Sequence, residues 1–247
     1  MRFTGIVVLL FLLPFSAAAG TFIETFDGKD MEEWRELVQV NNPPGLWETV
    51  KGELEVVNRD PSLYFFITGD ETWEDYTVKF DVKPLKKHGI GGIAIAARVK
   101  ESWLVYCAIR DIVIAIDDKA PVHEIGSYCL AGDLHDTVFI RIAAAPHPLL
   151  KLDKWSHLKL DVSEGMLTFW VNEEQVMGPT EFQLPGIVQD ELGFPGFLTG
   201  GAGFGLANYT ARFDNIIVTG DSIPNKGRLS VTSKGKLATT WGDLKRF

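Results

Sequence analysis

"GGAGFGLANYTARFDNIIVT", residues 200–219, sets four glycines in its first six positions and continues as a run rich in β-branched residues. Glycine tolerates positive φ and the close approach of another backbone, whereas Ile, Val and Thr favour a pleated, half-buried strand. Together these properties describe a chain that turns at the rim of a curved sheet and then lays down a closing strand over residues 211–219. A closing strand needs a partner. Near the start, "GTFIETFD" at residues 20–27 places Phe22 and Phe26 in alternation, so the two ends are expected to pair antiparallel.

Period-two alternation dominates the rest of the chain. In "YTVKFDVK" (76–83), Val78, Phe80 and Val82 share one face and Thr77, Lys79, Asp81 and Lys83 the other, the signature of a half-buried antiparallel strand. "WSHLKLDV" (155–162) repeats it, and Glu164-Gly165 leads into "MLTFWV" (166–171), which reads as a β-hairpin. Short apolar runs at 91–99, 103–109, 112–116, 122–130 and 137–143 are separated by Gly, Asp, Pro or Lys. Only residues 31–37 leave room for a helical turn. The pattern predicts an all-β fold, a two-sheet antiparallel jelly-roll sandwich.

The chain has 247 residues and a formal net charge of -9. Residues 1–19 read as a signal peptide: Arg2, an apolar stretch from Ile6 to Leu13 too short to span a bilayer, Pro14, and small residues before a cleavage point after Ala19. The expected location is therefore secreted, periplasmic or cell-surface. The jelly-roll domain is assigned to 20–220, and residues 221–247 to a basic C-terminal tail. The tail lacks a sortase signal, and its end could begin a short helix capped at Thr239 or Thr240. The acidic charge disfavours nucleic acid and anionic membrane and fits a neutral partner. Cys107 and Cys129 leave one bridge possible in an exported chain.

In order along the chain, Phe26-Asp27, "WETVKGELEVV" (47–57), "YTVKFDVKP", "GIGGIAIAARVKESWLVYCAIRD", "KWSHLKLDVSEGMLTFWVNEEQV" and the opening stretch resemble the concanavalin A-like lectin and glucanase superfamily. The nearest branch is the laminin-G-like one that includes the 3-keto-disaccharide hydrolase domain. The resemblance covers about residues 21–220. It implies a jelly roll whose concave face carries a carbohydrate site, and in many members a structural calcium near the joined termini.

Glycosidases of this superfamily carry paired carboxylates on one strand as Glu-x-Asp-x-Glu, because alternate residues share a face. Residues 21–220 contain no such pattern, so no catalytic residue is assigned. Sugar binding needs an aromatic platform and a few polar groups. On 103–110, Leu104, Tyr106, Ala108 and Arg110 share the face opposite Val105, Cys107 and Ile109, and Arg98 follows Ala96 by two. Arg98, Tyr106, Arg110 and Trp170 are the candidate ligand-binding set; the alternative is that the aromatics fill core. Asp27 and Asp214, brought together by the paired ends, are candidate calcium ligands, unless Asp27 only turns the chain. The five histidines lack zinc-ligand spacing. Asp133-Leu-His-Asp136 reads as a loop, and Asn208-Tyr-Thr210 as a glycosylation sequon that matters only in a eukaryotic secretory pathway. The expected function is non-catalytic carbohydrate binding or cell-surface interaction, with hydrolysis of a 3-keto disaccharide as the alternative.

Overall fold

A computed structural model describes residues 19–28, 31–39, 42–114, 121–183 and 193–227, together with positions 186, 189 and 191. The signal-peptide assignment and most of the tail, with its proposed helix, lie outside the described residues. The named elements are thirteen strands: β1 (Gly20–Glu24), β2 (Arg35–Leu37), β3 (Leu46–Val50), β4 (Glu53–Asn58), β5 (Tyr64–Thr68), β6 (Tyr76–Lys100), β7 (Trp103–Ile114), β8 (Val122–Asp133), β9 (Val138–Pro146), β10 (Ser156–Ser163), β11 (Met166–Val171), β12 (Glu174–Glu181) and β13 (Gly201–Gly220).

Two long antiparallel strands organise the rest. β6 and β13 pair from Gly201 opposite Val99 to Gly220 opposite Tyr76. Register shifts interrupt the ladder near Asn208 and Asn215, which hold positive φ of 53° and 52°; such bulges bend a strand and increase its twist. Each long strand thereby passes from one layer to the other. The first layer runs β12-β11-β10-β6-β13, continuing to β1 and to β4-β3, and uses residues 76–82 of β6. The second runs β9-β8-β7-β6-β13-β5-β2 and uses residues 92–99 of β6. All pairings between the named strands are antiparallel, with an isolated parallel bridge between Phe22 and Lys226, and the result is the expected jelly-roll sandwich.

The core lies between the layers. Phe80 of the first layer and Phe204 of the second have ring centroids 5.6 Å apart, and Phe204 stacks on Phe213 at 4.4 Å. Cys107 and Cys129 stand directly opposite on β7 and β8 and form a disulfide facing this core, with Cα atoms 4.0 Å apart. The ends pair as the alternation of Phe22 predicts: Gly20 faces Gly220 and Glu24 faces Ile216. Residues 32–33 form a turn, and 35–37 join β5 as β2 rather than continuing a helical turn. The pull of an unpaired sheet edge outweighs the weak helical propensity of so short a segment.

Among the opening glycines, Gly200 alone takes a positive φ, 146°. Gly203 and Gly205 serve close approach instead. A Cβ on either would lie 2.2 Å from the Phe66 carbonyl or 2.5 Å from that of Tyr64, so β5 packs against this stretch only because side chains are missing.

Candidate functional site

The outer face of the second layer is built from rows of alternating residues. One row reads Phe65, Gly205, Ala94, Ala108, Tyr128, Ala144; the next reads Ile67, Gly203, Ala96, Tyr106, Leu130, Arg141. The central strands thus carry only Gly and Ala, leaving a trough between bulky flanks. In a flat sheet, residues three strands apart are separated by about 14 Å, yet the Phe65 and Tyr106 rings meet edge to face at 5.6 Å, across β13 and β6. Tyr106 also meets Phe139 at 5.5 Å. Curvature and small residues let these rings lie over the trough, so this half of the face is a second packed cluster and Tyr106 is 2% exposed.

Beyond that cluster the same face opens. Arg110 and Ile112 of β7, Tyr128 and Leu130 of β8, and Phe139 and Arg141 of β9 line a groove of about 320 Å³. The floor is low where Gly92 and Gly126 flank Arg110. A Cβ on Gly92 would stand 2.3 Å from the Arg110 Cβ and 2.4 Å from the Ile109 carbonyl. Arg110 Nε is buried and has no hydrogen-bond partner. Neither Arg110 nor Arg141 forms an ion pair among the described residues, whereas Arg98 pairs with Asp75 and Arg212 with Glu53 and Glu55.

The Tyr128 hydroxyl donates to Glu124 Oε2 at 3.4 Å. Burial and the Glu124 carboxylate push the Tyr128 phenol up, while Arg110 and Arg141 pull the other way. It is therefore a protonated donor at neutral pH. Burial also raises the Tyr106 phenol, opposed by Arg110 beside it. The groove can stack a flat, apolar ring face on Phe139 and Tyr128, and offer two guanidinium forks, a phenol and a carboxylate to hydroxyls.

Of the four ligand-binding candidates, the structure brings Tyr106 and Arg110 to this face. Arg98 leaves it because a register shift after Ala97 and a φ of 55° turn its side chain inward, where it is 2% exposed. Its guanidinium donates to Asp75 Oδ1 at 2.9 Å, to the Val162 carbonyl at 2.7 Å and to the Leu198 carbonyl, and its amide donates to the Tyr76 hydroxyl at 2.7 Å. Arg98 thus ties four chain segments together. Trp170 stands on the outer face of the other layer, with Lys159 Nζ 3.9 Å from its ring centre. Sequence reading missed Glu124, Tyr128, Leu130, Phe139 and Arg141, although the alternation in "HEIGSYCLAGD" and "VFIRIAAAP" carries the signal.

Asp27 accepts from the Thr25 hydroxyl at 3.0 Å, and Asp214 from the Asn215 amide at 2.7 Å. Among the described residues, neither belongs to a group of three or more His, Cys, Asp or Glu able to hold a metal. Asp133 shapes the β8–β9 turn by accepting from Ser102, His135 and Asp136. The sequon Asn208 is 8% exposed and donates to the Ile90 carbonyl at 2.7 Å, so the folded chain hides it from a glycosylating enzyme.

A two-layer antiparallel jelly roll with a groove on the outer face of one layer places the molecule in the concanavalin A-like class. The chain belongs to the 3-keto-alpha-glucoside-1,2-lyase-like domain family, whose sequence profile matches residues 21–219. No protein of curated function matches it in sequence. Among solved structures it resembles a galectin-like protein of unknown function from Bacillus subtilis (TM-score 0.57, 15% identity, 82% of this chain and 98% of that one). It also resembles the carbohydrate-binding module CBM66 from Bacillus subtilis (TM-score 0.50, 16% identity, 74% and 93% covered). A third likeness is to the exoplasmic/lumenal domain of VIP36 in a Ca2+/mannose-bound form (TM-score 0.52, 12% identity, 80% and 88% covered). At these identities the likenesses show the fold. No described helix is long and apolar enough to cross a membrane.

Proposed function

We propose that this is an exported carbohydrate-binding domain whose ligand occupies the groove of Arg110, Tyr128, Phe139 and Arg141. The observation that supports it is the pairing, on one open face, of aromatic rings with arginines that no described carboxylate neutralises. Guanidiniums without an acid partner are free to donate to ligand oxygens while the neighbouring rings stack on a sugar face. Tyr106 supports the groove from beneath by holding Phe139 and Arg110. The test is a glycan array with the wild type, Tyr128→Ala and Phe139→Ala, each variant checked for its folded spectrum. Retention of all glycan binding by both variants refutes the groove.

Family membership favours a second reading, turnover of a 3-keto disaccharide in the same groove. A ketone acidifies the adjacent C–H. A base that takes this proton lets the electron pair form C=C as the glycosidic C–O bond breaks, and the departing oxygen then takes up a proton. In this reading Glu124, which accepts from the Tyr128 hydroxyl at 3.4 Å, serves as the base and the protonated Tyr128 phenol donates. Product release from a 3-keto disaccharide that disappears in Glu124→Gln would establish this reading over binding alone. A structural calcium at Asp27 and Asp214 draws support from the paired ends and the calcium-bound VIP36 neighbour. Unchanged thermal unfolding at millimolar calcium removes it.

A further inference from the structure

Resting on the groove as the sugar site, we infer that its preferred ligand is an acidic saccharide whose carboxylate is held between Arg110 and Arg141. Arg110 lies on β7 and Arg141 on β9, on either side of the β8 row that carries Tyr128 and Leu130. In register Arg110 stands opposite Gly126 and Arg141 opposite Leu130, so the two flank Tyr128 diagonally from the two neighbouring strands. Arg110 Nε is shut off from water and has no protein acceptor.

Charge decides what acceptor the groove takes. The chain as a whole carries -9, yet the groove holds two guanidiniums against the single carboxylate of Glu124, which is already engaged by Tyr128. Neutral hydroxyls satisfy one fork weakly. A carboxylate accepts from two forks in parallel, and charge-assisted bonds are about twice as strong as neutral ones. Arg141 is exposed and Arg110 half-buried, so a contact between a ligand carboxylate and this pair is open to screening by salt. A uronic acid residue supplies both parts: a pyranose face for the rings and a carboxylate at one corner for the arginines. The six-membered ring stacks on Phe139 and Tyr128, while the carboxylate points toward the β7–β9 arginines.

The test is isothermal calorimetry with a glucuronic-acid disaccharide and its neutral glucose counterpart, on the wild type and on Arg110→Gln and Arg141→Gln. The expected result is at least a tenfold preference for the uronate in wild type, shrinking severalfold when salt rises from 20 mM to 500 mM. In either variant the ratio of the two affinities collapses toward one, with thermal unfolding within a few degrees of wild type. Equal or tighter binding of the neutral sugar to wild type overturns the acidic-ligand inference and leaves the groove intact. Binding of neither sugar, or binding unaffected by Tyr128→Ala, overturns the groove and the inference together.

Discussion

Truncating Tyr106 separates packing from recognition. The ring is 2% exposed and contacts Phe65 at 5.6 Å and Phe139 at 5.5 Å, edge to face in both cases. Removing a buried aromatic ring to Ala costs about 3–5 kcal/mol. Aromatic pairs add about 0.5–1.5 kcal/mol each beyond burial, which lifts Tyr106→Ala off the lower end of that range, to about 4 kcal/mol. With an m-value of about 2–3 kcal/mol/M, the urea midpoint should fall by about 1.5 M. The melting temperature should drop by about 8–16 °C for a domain of this size. Tyr106→Phe keeps both ring contacts and loses only the hydroxyl beside Arg110, so its cost should stay within about 1.5 kcal/mol. Equilibrium urea unfolding followed by tryptophan fluorescence measures both. If Tyr106→Ala moves the midpoint by less than about 0.3 M while abolishing glycan binding, the ring is a ligand platform and the packing argument is refuted.

Gly92→Ala forces a Cβ against the Ile109 carbonyl and the Arg110 Cβ, so it should destabilise the β6–β7 pairing and weaken sugar binding together; a variant as stable as wild type contradicts the close approach. Reducing the Cys107–Cys129 bridge, which closes a 22-residue separation, should cost about 3 kcal/mol on the loop-entropy argument, read as a lower urea midpoint in dithiothreitol. His157 donates to Asp81, which holds its pKa above the ordinary histidine value against partial burial. A raised folded pKa gives stability that is fully present below the unfolded value near ~6.5 and fades as pH rises through the folded value. Asp81→Asn should therefore flatten the stability profile between about pH 6 and 8; an unchanged profile refutes the pairing.

The local physics was legible in the sequence. Alternation of Val78, Phe80 and Val82, the Glu164-Gly165 hairpin and the alternation about Tyr106 each follow from a side-chain period of two, which needs no knowledge of partners. The match of Phe22 to the last strand was legible for the same reason, since each end offered one apolar face. The face shared by Tyr106 and Arg110 was equally plain. What a period cannot give is the point where it breaks. Arg98 follows Ala96 by two in sequence but faces inward, because a positive φ at that residue and the slip before Lys100 flip the side chain. Nor can alternation say which layer a strand joins: Trp170 and Arg110 look alike in their own strands and end on opposite outer faces. The groove itself depends on three strands lying side by side, with Arg110, Tyr128 and Arg141 drawn from positions up to 31 residues apart. Strand order and sheet curvature, both set by the bends in β6 and β13, decided that this face would close over Tyr106 and stay open beside Arg110.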